Sequence, residues 1–364
     1  RQPIYRLLSR HPFDRAVAVH RHLRLSGFPL HRKPRQRVYL RTTMKLEVFN
    51  RSKYRDGSAP GDDVLLIVPG SVYGVFDGAT DPLGTVIDGI AAGRLAAMTV
   101  ASEMAKIALD PVARGMPGAD IVERLSKVLK ARTDPLNMDI PPSTTLAVAL
   151  DCGETWRFLL LGDSGIRLNG TDVHHHEKTI DFVSTAARVA VFNMLSHQNS
   201  DLDQVEMATR RCIFLGFVTA ISEGVLTTAS ASEIVEEAIS ATGLNKIRQT
   251  VSNFLMGGIQ KQFKFGNTDG NPLCFDTMDG TTPKLGELQD FERAAKDIIS
   301  IEIFTDGYPS QPNYASVTAW EKAFHAAEDC DFHKTGPFST VKGSTSAEFY
   351  DDRSVLILRC PLVT

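Results

Sequence analysis

Cysteine is scarce in this sequence, and long apolar runs are missing. The 364 residues include five dispersed cysteines and no Cys-x-x-Cys pair. Such a set indicates neither a disulfide framework nor a zinc ribbon, and it fits a reducing cytoplasm. No apolar stretch approaches the eighteen or so residues of a membrane span, and no apolar signal-peptide core is evident. We therefore expect a cytoplasmic protein that does not bind membranes.

Three signatures of phosphate chemistry are also missing from the sequence. It contains no Gly-Lys-Ser or Gly-Lys-Thr, as a nucleotide-binding P-loop requires. It contains no Cys-x5-Arg loop, which would supply a thiolate nucleophile. The run Phe76–Thr80 has Ala79 where the nucleophile loop of haloacid dehalogenase-like phosphatases requires a second aspartate. These absences exclude the corresponding mechanisms.

Basic residues are concentrated at the N-terminus. Residues 1–43 carry eleven Arg or Lys and a single acid, Asp14, although the formal net charge of the chain is -3. The rest therefore holds 29 basic and 42 acidic residues, a net charge of -13. Such an acidic body argues against nucleic acid as a partner. We expect residues 1–43 to be a basic extension outside the fold, and an organellar location if this extension is a genuine presequence.

Strands are predicted in adjacent pairs and helices in blocks. The hairpin patterns are Val64–Val68 with Val72–Phe76, and Thr144–Leu150 with Thr155–Leu161. Helical periodicity covers Val86–Leu109 and most of residues 178–256. This order predicts an α+β fold with two antiparallel β-sheets in a sandwich flanked by helices. Residues 44–364 are expected to form one domain, with a helical and loop insertion at about 178–298.

Acidic residues stand beside the apolar runs, most of them at an end of a predicted strand. They are Asp62-Asp63, Asp77-Gly78, Asp163, Asp306-Gly307 and Asp351-Asp352. If these strand ends converge, the carboxylates cannot all stay ionised in a dry site unless a cation neutralises them. Oxygen ligands of this kind suit Mg²⁺ or Mn²⁺. The sequence therefore predicts a divalent metal centre at the rim of a sheet.

The order and spacing of these motifs resemble those of the metal-dependent Ser/Thr protein phosphatases, the PPM or type 2C family. The matching stretches are Val75–Gly78, Ser143–Thr145, Gly162–Ser164, Phe304–Gly307 and Asp351-Asp352 before Ser354–Ile357. The resemblance covers roughly residues 46–360. It implies a β-sandwich with a two-metal centre at one end.

The resemblance also implies a role for each acidic residue. Asp77 would bridge two Mg²⁺ or Mn²⁺ ions, and the carbonyl of Gly78 would bind one of them. Asp306 and Asp351 would hold one metal. In addition, the early pair Asp62 and Asp63 would act through metal-bound waters, with Asp63 as the metal-site residue of that pair, and Asp163 is a candidate for a weaker third metal.

The sequence departs from the family pattern at two positions. Family members often have Asp-Gly-His-Gly-Gly, whose His is a candidate general acid, but here Ala79 follows Gly78. The phosphate-binding Arg of the family falls on Ser58. Lys53 and Arg55 are the nearby alternatives, and the sequence does not choose between them.

The function implied is hydrolysis of phosphoserine and phosphothreonine monoesters on proteins by a metal-activated water. The expected partner is a phosphoprotein substrate, and we expect a monomer. Because the usual His and Arg are displaced, a pseudophosphatase that acts as a regulatory or binding module is the alternative. Metal binding distinguishes the two, since a scaffold without chemistry need not keep its affinity for divalent ions.

Overall fold

The structure is a computed structural model that describes residues 44–360. The predicted basic extension, residues 1–43, lies outside the described residues. The strands are β1 Lys45–Arg51, β2 Val64–Val68, β3 Val72–Phe76, β4 Val86–Ile87, β5 Ile90–Ala91, β6 Leu146–Asp151, β7 Thr155–Leu161, β8 Gly165–Leu168, β9 Asp172–His174, β10 Gln289–Ala294, β11 Ser300–Phe304 and β12 Arg353–Arg359. The α-helices are α1 Ala92–Leu109, α2 Pro111–Arg114, α3 Gly118–Thr133, α4 Thr179–Ser196, α5 Leu202–Leu215, α6 Phe217–Ser222, α7 Thr228–Thr242, α8 Arg248–Gly257 and α9 Val317–Cys330. Among these residues no helix combines the length and apolarity that crossing a bilayer requires.

Ten of the strands form two five-stranded antiparallel sheets. The first sheet has the order β1-β12-β11-β8-β9, and the second has the order β10-β7-β6-β3-β2. The two predicted hairpins appear as β2 with β3 and β6 with β7, in antiparallel register. The predicted α+β class with a sandwich of antiparallel sheets is thus confirmed.

Alternating side chains of each sheet face two different cores. In β6, Ala147 and Ala149 point into the core between the sheets, where they join Phe158 and Leu358. The intervening residues of β6 face the opposite way and pack on α1 and α3. The first sheet is covered on its outer face by Trp320 and Phe324 of α9. Strands with two covered faces must be apolar throughout, which explains the continuous apolar runs of the sequence.

Helices α4 to α8 form a fourth core of their own, within the predicted insertion. Further along the same predicted insertion, β10 pairs with β7 and forms one edge of the second sheet. Its sequence, Gln-Asp-Phe-Glu-Arg-Ala, has only Phe291 as a large apolar residue. An exposed edge strand needs no continuous apolar run, so the sequence pattern did not reveal β10.

The predicted helix Val86–Leu109 is wrong in its first six residues. The helix begins at Ala92, and Val86–Ala91 forms the small β4-β5 ribbon. The turn of this ribbon places Asp88 and Gly89 at φ of 52° and 80°. A left-handed pair of this kind cannot continue a right-handed helix.

Substitution of Phe158 by Ala tests the sandwich core. The ring is fully buried between the sheets and stacks on Phe291, with ring centroids 5.1 Å apart. We expect Phe158→Ala to lower the free energy of unfolding by about 3–5 kcal/mol in urea titrations. Tyr314→Ala is the control, because Tyr314 is 77% exposed, and its effect should stay within about 0.5 kcal/mol. Equal effects of the two substitutions would contradict the assigned core.

Candidate metal centre

Four carboxylates from four strand ends line one cavity. Asp77 follows β3, Asp163 lies between β7 and β8, Asp306 follows β11, and Asp351 precedes β12. All four line the same cavity of about 190 Å³. The structure therefore brings together four of the residues that the sequence assigned to a metal centre. Gly78 lines the cavity beside Asp77.

The Ser143–Thr145 motif positions Asp77. The hydroxyl of Thr144 donates to the carbonyl of Asp77 at 2.8 Å, and the backbone N–H of Asp77 donates to Oγ1 of Thr145 at 3.0 Å. Thr145 in turn shares a hydrogen bond with the hydroxyl of Ser164, with 2.6 Å between the oxygens. Both threonines thus fix the backbone that carries the Asp77 carboxylate.

Glycine follows Asp77 and Asp306 because the backbone is crowded at both positions. A Cβ atom on Gly78 would lie 2.5 Å from the carbonyl group of Gly93, at the start of α1. A Cβ atom on Gly307 would collide with the carbonyl oxygen of Asp352. Each Asp-Gly pair is thus required by close packing at the rim, and not by turn geometry alone.

Asp77 and Asp306 lie within hydrogen-bonding reach of each other. Burial and the charges of Asp306 and Asp63 raise the pKa of Asp77 well above its usual range. Although the side chain of Asp306 is exposed to the cavity, the surrounding protein desolvates its carboxylate. This desolvation, with repulsion from Asp163 and Asp351, raises the pKa of Asp306 to about 7. Two carboxylates this close keep a proton or require a cation.

Two lysines that no sequence motif marked lie in the same cavity. Nζ of Lys178 is 2.6 Å from Oδ2 of Asp163, and Nζ of Lys342 is 2.7 Å from Oδ1 of Asp351. Burial would raise the pKa of Asp163, but the Lys178 ammonium outweighs burial and lowers that pKa. No local sequence pattern marks either lysine, because each pairs with an acid in another part of the chain.

The early acidic pair, Asp62 and Asp63, lies at the same rim. Oδ2 of Asp63 accepts a hydrogen bond of 2.9 Å from Thr305, whereas its buried Oδ1 has no hydrogen-bond partner. Oδ2 of Asp62 lies 3.6 Å from Nζ of Lys53. Burial, followed by repulsion from Asp352, raises the pKa of Asp63 well above its usual range. A buried carboxylate oxygen without a hydrogen-bond partner fits a ligand position for a cation.

The two candidate phosphate-binding residues, Arg55 and Lys53, have different partners. The guanidinium of Arg55 pairs with Glu328 of α9 at 3.0 Å and stacks over Phe349. Lys53 is buried, and its Nζ donates to the hydroxyl of Thr80 at 3.1 Å. Thr80 itself lines the cavity. Of the two residues, Lys53 is therefore the one connected to the acidic centre.

The donor set fits hard divalent cations, because it consists of carboxylates. The unpaired Oδ1 of Asp63 and the raised pKa of Asp77 both fit a site that favours a nearby positive charge. In the observed side-chain conformations, however, no three Asp, Glu, His or Cys groups within residues 44–360 lie close enough together to hold an ion. Two of the carboxylates are instead turned to Lys178 and Lys342.

The raised pKa of Asp306 makes metal-free stability depend on pH. An ordinary Asp has a pKa of 3.8, so between pH 3.8 and about 7 the folded protein keeps a proton that the unfolded chain has released. The free energy of unfolding therefore falls as pH rises through this window. In EDTA, Asp306→Asn should lose less thermal stability than the wild type between about pH 5 and pH 8. Asp269→Asn, at an exposed loop position, should behave as the wild type, and parallel curves for all three proteins would contradict the raised pKa of Asp306.

Comparisons with known proteins give structural likenesses only. No family model and no curated protein matches the chain. The Mycobacterium tuberculosis serine/threonine phosphatase PstP is similar with a TM-score of 0.43 and 14% identity, over 87% of this chain and 98% of that one. Serine/threonine phosphatase Stp1 from Staphylococcus aureus has a TM-score of 0.42 and 11% identity, over 88% and 97%.

Proposed function

We propose that this protein is a metal-dependent phosphatase that hydrolyses phosphoserine and phosphothreonine monoesters of proteins. The observation that carries the proposal is the convergence of Asp77, Asp163, Asp306 and Asp351 in one cavity. The motif order that resembles the type 2C phosphatases supports the same reaction. The cavity adjoins a wider groove, which suits a macromolecular substrate better than an enclosed small-molecule site would.

Asp77, Asp306 and Asp351 would hold the divalent cations, with the carbonyl of Gly78 beside them and Asp163 at a further position. When bound, two such cations neutralise the phosphate dianion and lower the pKa of a water so that it becomes the nucleophile. The residues of the chain hold the metal-binding carboxylates in position. Thr144 and Thr145 fix the backbone of Asp77, and the close packing at Gly78 and Gly307 leaves no room for a side chain directly after Asp77 or Asp306.

The leaving alcohol needs a proton, and the family's usual donor is replaced by Ala79. Within residues 44–360, the lining of the cavity contains no histidine that substitutes for it. The ammonium groups in the lining, those of Lys178 and Lys342, are paired with carboxylates. We therefore assign no side chain of the cavity as the general acid.

The proposal predicts that Asp77→Asn and Asp306→Asn abolish metal-dependent hydrolysis of p-nitrophenyl phosphate. Each change removes one charged donor of the centre, and even indirect partners of metal ligands cost about 10–100-fold when they are replaced. We expect kcat/KM in millimolar Mn²⁺ to fall by at least about 100-fold while circular dichroism stays unchanged. Asp269→Asn is the control. Metal-dependent turnover in both site variants would refute the site assignment.

A pseudophosphatase is the second candidate, and the ion pairs of Lys178 and Lys342 favour it. Two ammonium groups already neutralise two carboxylates of the centre, so the fold has less need of a metal. Isothermal titration with Mn²⁺ separates the candidates. A phosphatase should bind Mn²⁺ in the wild type and lose binding in Asp77→Asn, whereas a scaffold should show no saturable heat in either protein.

A further inference from the structure

Two lysines stand inside the acidic centre without a role in the proposed hydrolysis. The side chains of Lys178 and Lys342 are only 17% and 12% exposed. Each ammonium forms a close pair with one carboxylate of the centre, Asp163 or Asp351. Each ammonium is therefore largely withdrawn from solvent and held against an acidic side chain of the centre.

Both lysines are held in place by their own surroundings. Lys178 directly precedes α4 and contacts Asp181 in the first turn of that helix, at 3.3 Å. Lys342 lies in the loop between α9 and β12, where its carbonyl accepts a hydrogen bond of 2.6 Å from the hydroxyl of Thr340. The next residue, Gly343, donates its N–H to the buried Glu206 at 2.7 Å. Neither ammonium is a mobile surface group that meets an acid by chance.

We propose that Lys178 and Lys342 are internal counter-ions that stabilise the acidic centre in the absence of metal, and that divalent ions bind by displacing them from Asp163 and Asp351. This inference rests on the metal centre of the proposed function. A carboxylate oxygen that accepts a hydrogen bond from an ammonium is occupied, and a dication beside that ammonium is repelled. Metal binding at Asp163 and Asp351 therefore requires that both ion pairs break.

Two consequences distinguish this role from that of an ordinary ion pair. Removing one lysine should increase the affinity for divalent ions, because the metal no longer displaces a cation. It should also reduce stability without metal, because a carboxylate remains desolvated and unpaired. A purely structural ion pair would lower metal-free stability without increasing the affinity for metal.

Isothermal titration of the full chain with Mn²⁺ tests the proposal. We expect Lys178→Met and Lys342→Met each to lower the Kd for Mn²⁺ by at least tenfold, which is about 1.4 kcal/mol. Lys178→Arg and Lys342→Arg keep the positive charge and should stay close to the wild type. Lys130→Met is the matched control, because Lys130 of α3 forms an exposed ion pair with Asp134. Its removal should leave the Kd for Mn²⁺ within about twofold of the wild type.

Thermal melting gives a second measurement. In EDTA both Met variants should melt below the wild type, and saturating Mn²⁺ should raise their melting temperatures by more than it raises that of the wild type. If Lys178→Met does not fold, Lys342→Met decides the question alone, because Lys342 lies in a loop and starts no helix.

The outcomes separate this inference from the proposed function. Wild-type Kd values in both Met variants, together with Mn²⁺-dependent turnover, would overturn the counter-ion role and leave the phosphatase intact. Absence of Mn²⁺ binding in the wild type and in every variant would overturn both proposals. Binding by the Met variants but not by the wild type would support the counter-ion role and make the natural protein a metal-free scaffold.

Discussion

Mutual repulsion among carboxylates at one end of the sandwich is the constraint on which the rest of the structure depends. Four strand ends place Asp77, Asp163, Asp306 and Asp351 around one cavity, and Asp63 lies close to them. Desolvation and repulsion raise the pKa of Asp77, Asp306 and Asp63. Such a cluster persists only where positive charge or protons offset it. The surrounding architecture supplies the rigidity that holds these groups together against their repulsion.

That rigidity comes from strands covered on both faces and from close backbone packing at the rim. The sheets share one core, and α1, α3 and α9 cover their outer faces. At the rim, Asp352 accepts the backbone N–H groups of Lys53 and Asp62 at 2.6 and 2.8 Å. This second acid of the Asp351-Asp352 pair thus ties the early acidic pair to β12, while Asp351 faces the cavity. Asp351 and Asp352 have different partners because consecutive side chains point to opposite sides of an extended chain.

The sequence revealed the hairpins and four of the cavity carboxylates because each depends on a local pattern. An apolar run followed by Asp-Gly marks a buried strand end without any knowledge of its neighbours. Lys178 and Lys342 left no such pattern, since their partners Asp163 and Asp351 lie 15 and 9 residues away and each contact is fixed only by the folded chain. Arg55 illustrates the converse: proximity in sequence to the acidic pair suggested a phosphate ligand, but tertiary packing turns it to Glu328.

The buried Arg188 of α4 connects distant parts of the molecule. Its guanidinium pairs with Glu206 of α5 and donates to the carbonyls of His333 and Lys334, in the loop that carries Lys342. Lys178 directly precedes the same helix. Both lysines of the acidic centre are therefore connected to α4. Lys178 is adjacent to it in sequence, and the loop of Lys342 is hydrogen-bonded to Arg188 of this helix. The positions of both ammonium groups therefore depend on how α4 packs against the rest of the fold.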